Sequence, residues 1–153
     1  MSRRPDRAGR ARSLSRKLAM QALYQWQLTG QTAAELRNQY AGEEGFGDAD
    51  ADYFRDLIGG ITEGAATLDA ELGGLVDRPV AQLDPVERAV LLIGLYELAH
   101  HLDVPYRVVI NEGVELAKRF GATDGHKFVN AVLDRAARSL RAAEQAAAGA
   151  ARG

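Results

Sequence analysis

The stretch DPVERAVLLIGLYELAH, residues 84–100, carries the strongest fold signal in this sequence. Asp84 is a typical helix cap, Pro85 suits the first helical position, and Glu87 is placed to bond back to the cap. Apolar residues then recur on one face with helical spacing, namely Val86, Ala89, Val90, Ile93 and Tyr96. The stretch predicts a helix with one buried face, which the sequence DVP that follows brings to an end.

Helical patterns continue on both sides of this stretch. Pro105 begins one further helix and Asp124 begins the last. Towards the N-terminus, Gly30 ends a helix, and Thr32 with Glu35 forms a capping box that opens the next one. No convincing run of alternating strand residues is present. The sequence therefore predicts an all-α protein of about seven helices.

The length of 153 residues is that of one domain with its own core. We expect this domain to cover residues 13–141, with subdomains at about 13–76 and 84–141. Residues 1–12 hold five arginines and no apolar periodicity, which predicts a flexible basic arm. Residues 142–153 predict a low-complexity tail that frays.

The net charge of −2 conceals a basic start on an acidic body. Residues 1–17 hold six arginines and one lysine against one aspartate, whereas residues 35–77 hold eleven acids against two arginines. Each arginine of such an arm can neutralise a phosphate and release a counterion, which is typical of nucleic-acid binding. A disordered, solubilising tail has the same composition, and charge alone leaves both interpretations open.

The common motifs of catalytic and metal-binding sites are missing from the sequence. It contains no cysteine, and the adjacent His100 and His101 would point in different directions on a helix, away from His126 in a later segment. Serine-hydrolase and nucleotide-binding glycine motifs are missing too. We therefore predict a protein that is not an enzyme and has no metal or cofactor. No apolar run is long enough to span a bilayer, so we expect no membrane association and a cytoplasmic location.

Four residues after the arginine-rich start form a candidate nucleic-acid surface. Arg16, Lys17, Gln21 and Tyr24 would lie on adjoining stripes of one helix. Basic residues beside an aromatic ring suit single-stranded RNA, whose phosphates need charge and whose bases need a stacking plane. For Tyr24 the pattern alone favours a position in the core instead.

A second candidate is the stretch GATDGHKFVN, residues 121–130. Asp124 is placed to cap the following helix by accepting a backbone N–H. The free amides of the first turn and the charge of Lys127 would then attract a phosphate. Phe128 precedes Val132 by one helical turn, so the pattern favours a packed ring.

Four longer segments give the chain a family resemblance. They are RKLAMQALYQWQL, DYFRDLIGGI, VERAVLLIGLYEL and DVPYRVVINEGVELAKRFGATDGHKFVNAVLD. In order and spacing, over roughly residues 12–137, they resemble the NusB family of bacterial transcription antitermination factors. The resemblance implies two small helical bundles packed together. It also implies binding to boxA single-stranded RNA together with NusE, a small-subunit ribosomal protein, and recruitment to the RNA polymerase antitermination complex, notably on ribosomal RNA operons.

The resemblance assigns roles by position in the first helix. Arg10, Arg12 and Arg16 correspond to phosphate contacts from the arginine-rich arm. Tyr24 lies in the motif ALYxW, which is implicated in RNA binding.

Further positions are assigned near the last helices. Asp124, Lys127 and Phe128 fall in the stretch that lies against RNA, with the phenyl ring as a stacking surface for a base. Glu87 and Arg88 match a helix start at or near the protein-partner surface. Family members occur as monomers and as dimers, so a homodimer is a further possible assembly.

Three positions depart from the family pattern. Lys17 stands where an acid is frequent, Leu92 where arginine is common, and Gly125 where serine is usual. Helical domains of this type also form the N-terminal part of certain RNA cytosine methyltransferases. Those enzymes need a catalytic cysteine, which this sequence lacks. The remaining alternative is a module that binds only proteins.

Overall fold

The computed structural model describes residues 6–152, and every regular element among them is helical. The eight α-helices are α1 Arg7–Thr29, α2 Ala33–Ala41, α3 Ala51–Glu63, α4 Ala65–Gly73, α5 Pro85–His100, α6 Tyr106–Phe120, α7 Gly125–Leu140 and α8 Ala142–Arg152. Short 3-10 turns, Phe46–Asp48 and Val80–Gln82, lie in two of the connections. The all-α prediction is confirmed, and the helix beyond the seven expected is α8, formed by the predicted tail. None of the helices in the described range combines the length and apolarity that crossing a membrane requires.

Caps fix several helix ends where the sequence predicts them. Gly30 adopts a left-handed φ of 71° and ends α1. Thr32 and Glu35 form the capping box, in which each side chain accepts the other residue's backbone N–H at 3.2 Å. Asp84 starts α5 by accepting the N–H groups of the second and third residues beyond it, at 2.9 and 3.2 Å.

The first helix begins earlier than the sequence pattern indicates. Asp6 caps it by accepting the N–H of Gly9 at 3.1 Å, and the chain is helical from Arg7 onward. Arginine and alanine, which dominate this segment, are good helix formers and need no apolar face to continue a helix. The prediction of a flexible arm is therefore wrong for residues 7–12, while residues 1–5 lie outside the described range.

The helices fall into two units, one ending at Glu63 and the other starting at Gly64. Helix α4 thus belongs with the C-terminal helices, whereas the sequence pattern placed the division between residues 76 and 84. The reason lies in α4 itself. Asp69 accepts hydrogen bonds of 3.1 and 2.5 Å from Arg88 of α5, and both leucines of α4 are buried.

The first unit packs α1, α2 and α3 around an apolar core. Its fully buried side chains include Leu23, Leu36, Phe54, Leu57, Ile58 and Ile61. Phe54 lies at the centre, with the ring of Phe46 edge-on at 5.4 Å and that of Tyr40 at 6.0 Å. Burial of these rings and branched side chains supplies most of the stabilisation of the unit.

In the second unit, α5 is the central helix and packs against α4, α6 and α7. All residues from Ala89 to Leu95 are buried. Close approach to α7 depends on two glycines, because a Cβ on Gly94 or Gly113 would lie 2.5 or 2.9 Å from the side chain of Leu133. These glycines let the leucine fill the space between three helices.

A buried arginine joins the far end of α5 to the end of α7. Arg141, only 4% exposed, donates to the carbonyl oxygens of Leu98 and His101 at 2.8 Å, Val104 at 2.9 Å and Glu97 at 3.3 Å. These carbonyls lie in and just after the last turn of α5, where a helix leaves its acceptors unsatisfied. Arg141 therefore caps α5 from another part of the chain.

Glu144, inside the predicted fraying tail, completes this arrangement. Its carboxylate lies 2.5 Å from an Nη of Arg141 and accepts the backbone N–H of Tyr106, the first residue of α6, at 2.9 Å. The bond from Tyr106 and the charge of Arg141 lower the pKa of Glu144. Helix α8 is thus tied to α6 at its start.

Candidate nucleic-acid interface

One side of α1 carries an open row of polar, basic and apolar side chains. The row, which we call the α1 row, repeats at intervals of three and four residues and consists of Arg10, Leu14, Lys17, Gln21, Tyr24 and Leu28. Each of these residues is exposed or half-exposed, and Tyr24 is 39% exposed. Within residues 6–152, Arg10 and Lys17 have no ion-pair partner. The structure thus brings together four predicted residues, and the core position that the pattern favoured for Tyr24 is wrong.

The other two predicted arginines of α1 lie on a different side of the helix. The guanidinium of Arg12 lies 4.5 Å from the ring centroid of Tyr53, and that of Arg16 lies 5.3 Å from it. Arg12 also lies 3.8 Å from the carboxylate of Asp50. Arg16 is only 3% exposed. Stacking on a tyrosine of α3 draws Arg16 inside the unit, so its predicted phosphate contact does not fit this conformation.

A groove lies at the start of the α1 row. It has a volume of about 450 Å³ and is lined by Arg7, Arg10, Ala11, Leu14 and Asp48. Next to the groove in sequence, Ser15 donates to the carbonyl of Asp50 at 2.7 Å. Two arginines against one aspartate leave the groove basic, which suits an anionic group.

In the second unit, the start of α7 differs from its prediction. Asp124 has a left-handed φ of 63°, and its side chain accepts no hydrogen bond from the first turn. A capping side chain requires extended backbone at the cap, so the left-handed conformation explains why the predicted cap bond is missing. The Asp124 carboxylate instead lies 3.4 Å from Nζ of Lys127, and both side chains are largely exposed.

Glu87 holds the turn that precedes α7. It is buried at 7% exposure and accepts the backbone N–H of Ala122. A Cβ on Gly125 would lie 2.7 Å from its Oε2, so the carboxylate fills the space beside the glycine. Burial raises the pKa of Glu87, as does the charge of Asp84, while the bond from Ala122 and the charge of Arg78 oppose the rise.

The two residues predicted to contact a protein partner therefore have roles within the chain. Glu87 bonds to the turn before α7 instead of returning to its own helix cap. Arg88 bonds to Asp69 of α4, and its side chain is 18% exposed. Because both charged groups are engaged inside the unit, they position the surface around them.

Phe128 is half-buried, and the guanidinium of Arg78 covers it at 4.6 Å from the ring centroid. The packing predicted for this ring is thus only partial, and a cation takes the place of an apolar neighbour. Arg78 was not among the candidates from sequence, because the connection between α4 and α5 shows no periodicity. A single arginine in a connection with glycines before it and prolines after it gives the sequence no pattern that indicates a binding site.

His100, the last residue of α5, and His101, which follows it, lie beside an aromatic ring. Tyr96 is 4.8 Å from the ring of His100 and 5.7 Å from that of His101. In the part of the chain that the structure describes, no group of three or more His, Cys, Asp or Glu residues is arranged to hold a metal ion.

The geometry thus gives an exposed basic and aromatic row on one helix and a second basic and aromatic cluster at the start of another. The NusB family model matches residues 13–138 of this sequence. The chain belongs to the NusB family. Because NusB proteins are antitermination factors and not enzymes, the predicted absence of catalysis agrees with the family.

Known NusB proteins match over most of their length. The transcription antitermination protein NusB of Halorhodospira halophila is 52% identical over 90% of this chain and 89% of its own. That of Paraburkholderia phymatum is 51% identical over 90% of this chain and 95% of its own. A solved structure of T. maritima NusB is similar with a TM-score of 0.73 at 29% identity, covering 83% of this chain and 90% of that one. These similarities support an antitermination factor over the methyltransferase alternative.

Proposed function

We propose that this NusB protein binds boxA single-stranded RNA in nascent transcripts together with the ribosomal protein NusE. The resulting complex joins RNA polymerase and suppresses termination, especially on ribosomal RNA operons. The complex acts in the bacterial cytoplasm, where transcripts and ribosomal proteins are both present.

The observation that carries this proposal is the α1 row. Arg10 and Lys17 supply positive charge seven residues apart, and Tyr24 follows after another seven. Phosphates are bound by charge and unstacked bases by aromatic planes, so this alternation along one helix suits a single strand better than a duplex. Gln21 adds donors and an acceptor for a base edge.

The start of α7 supports the same proposal independently. Lys127 is 72% exposed on its side chain and stands in the first turn of α7, whose amide groups carry a partial positive charge. Phe128 offers the part of its ring that the protein leaves uncovered. Asp124 lies beside them and repels phosphate, which favours a strand that passes on the Lys127 side.

The dependence on NusE follows from charge. The α1 row has only two cations, and the whole chain has a net charge of −2. A small number of phosphate contacts gives weak binding at physiological salt. We therefore expect tight binding only when the partner adds its own RNA contacts.

Titration of a labelled boxA RNA with the protein, with and without NusE, tests the proposal across a salt series. We expect Lys17→Ala to weaken binding and to lower the slope of log K against log salt by about 1. Lys118→Ala is the matched control, because Lys118 is an exposed lysine of α6 that lies 3.6 Å from Glu115. A complex that binds scrambled RNA equally well, or binds boxA equally well without NusE, would contradict the proposal.

A further inference from the structure

We propose that Arg78 is a direct RNA-contact residue whose guanidinium, held against the ring of Phe128, binds a phosphate of the single strand. This inference rests on the proposed function and extends it to a residue in the connection between α4 and α5.

The position of Arg78 is suited to a ligand from solution. Its side chain is 47% exposed, and its Cζ lies 4.6 Å from the centroid of the Phe128 ring. Stacking on a ring holds the flat face of a guanidinium and restricts its rotamers, while the N–H donors at the edge stay available. The ring thus orders the arginine before any phosphate arrives, which lowers the entropy lost on binding.

The hydrogen bonds of Arg78 leave room for a second acceptor. Its Nε donates to Asp77 at 3.2 Å, and within the described residues this is the hydrogen bond that its guanidinium makes. The Asp77 side chain is 83% exposed, so water screens the pair and it contributes little. A phosphate can accept two parallel bonds from the Nη side, which is the stronger arrangement.

The nearby acid does not compete for the same donors. Glu87 is close enough for its charge to interact with Arg78, but its carboxylate is buried and accepts the N–H of Ala122. Lys127, one residue before Phe128, places a second exposed cation on the same helix turn. Arg78 and Lys127 therefore provide two phosphate-binding side chains next to one ring.

This arrangement changes the expected role of Phe128. Arg78 already covers one part of the ring, so the phenyl group acts largely by holding the guanidinium. Removal of either side chain should then remove much of the same binding energy. We expect the losses from Arg78→Ala and Phe128→Ala to be clearly less than additive in the double variant.

The experiment measures boxA RNA affinity of the NusE complex across a salt series. We expect Arg78→Ala to weaken binding roughly tenfold at physiological salt and to lower the salt slope by about 1. Arg138→Ala is the matched control. Arg138 is an exposed arginine of the same unit, paired with Asp134 at 2.9 Å, so its loss removes the same charge elsewhere and should change neither quantity.

A conservative variant keeps the test valid if Arg78→Ala lowers the melting temperature. Arg78→Lys retains the charge but loses the planar, two-pronged donor set, so it should keep the salt slope and bind more weakly than wild type. Wild-type affinity in Arg78→Lys, or equal behaviour of Arg78→Ala and Arg138→Ala, overturns the inference. If Lys127→Ala still weakens binding in that case, the proposed function stands. If the wild-type complex binds no boxA RNA, both proposals fail together.

Discussion

The second unit contains two helices that begin beside an aspartate, and the two starts are built differently. At α5, Asp84 has extended backbone and accepts two N–H groups of the first turn. At α7, Asp124 has left-handed backbone and accepts none of them with its side chain. The first start is closed by the side chain of its own aspartate. At the second, the N–H groups of Gly125 and Lys127 donate to the backbone carbonyls of Ala122 and Asp124, at 2.9 and 3.1 Å, and the side chains of Asp124 and Lys127 extend into solvent.

This difference separates a helix start whose aspartate side chain stabilises the helix from a helix start whose side chains are available for binding. A side chain that caps its own helix is engaged by backbone N–H groups and is not available to a ligand. The uncapped end of α7 is instead held from outside by Glu87, which bonds to Ala122 of the preceding turn. The stability of the α7 start therefore depends on a residue of α5, while the side chains of Asp124 and Lys127 remain exposed.

The largest expected loss of stability concerns the C-terminal end of α5, which is capped by a residue from another part of the chain. Arg141→Ala removes the guanidinium that binds four carbonyl groups around the end of α5. Because these buried acceptors and Glu144 lose their donor, we expect a loss of about 3 kcal/mol or more in the free energy of unfolding. Urea denaturation measures this, with the exposed Arg138→Ala as control at about 0.5 kcal/mol or less. Equal losses in the two variants would show that the buried network contributes nothing special.

We expect substitutions at the two aspartates to change the free energy of unfolding in opposite directions. Asp84→Ala removes both cap bonds and should cost about 1–2 kcal/mol of unfolding free energy. Asp124→Gly removes no cap bond and relieves a left-handed non-glycine residue, so it should stabilise the protein by about 0.5–1 kcal/mol. Thermal and urea unfolding of the two variants provide the comparison. A destabilised Asp124→Gly protein would mean that the Asp124 carboxylate supports the helix after all.

The smallest expected effect is a dependence of the free energy of unfolding on pH, which Glu87 causes. Its pKa in the folded protein lies above the ordinary value of 4.5, so the folded state binds this proton more tightly than the unfolded chain does. The resulting stabilisation is fully present below the unfolded pKa and is lost as pH rises through the folded pKa. The glutamine of the Glu87→Gln variant does not titrate, so this variant lacks that dependence on pH. The unfolding free energy of wild type minus that of Glu87→Gln should therefore fall as pH rises above 4.5. A difference that stays constant or grows over that range would contradict the burial argument.

The helices α1 to α7 and the caps at Thr32 and Asp84 were predictable because they depend on nearby residues. The capping box of Thr32 and the cap of Asp84 involve partners within three positions, and the apolar periodicity of α5 reports its burial directly. The helical tail could not be predicted in the same way. Its alanines indicate no fixed end, and Glu144 is anchored by Tyr106, a partner far away in sequence.

The candidate site was only partly predictable for a similar reason. Spacing along α1 places Arg16 near Lys17, but only the position of Tyr53 on α3 decides that Arg16 turns inward. The exposure of Tyr24 likewise depends on which side of α1 the other helices cover. Arg78 belongs to no local pattern, and only the fold brings its guanidinium over the ring of Phe128.

The contact between Glu87 and Gly125 has a consequence for how sequences of this protein can change. A larger residue at position 125 needs the space that the carboxylate fills, since its Cβ would lie 2.7 Å from Oε2. Loss of the carboxylate, in turn, frees the N–H of Ala122 and opens a gap beside the glycine. A serine at position 125 should therefore push the end of the Glu87 side chain away from the turn before α7.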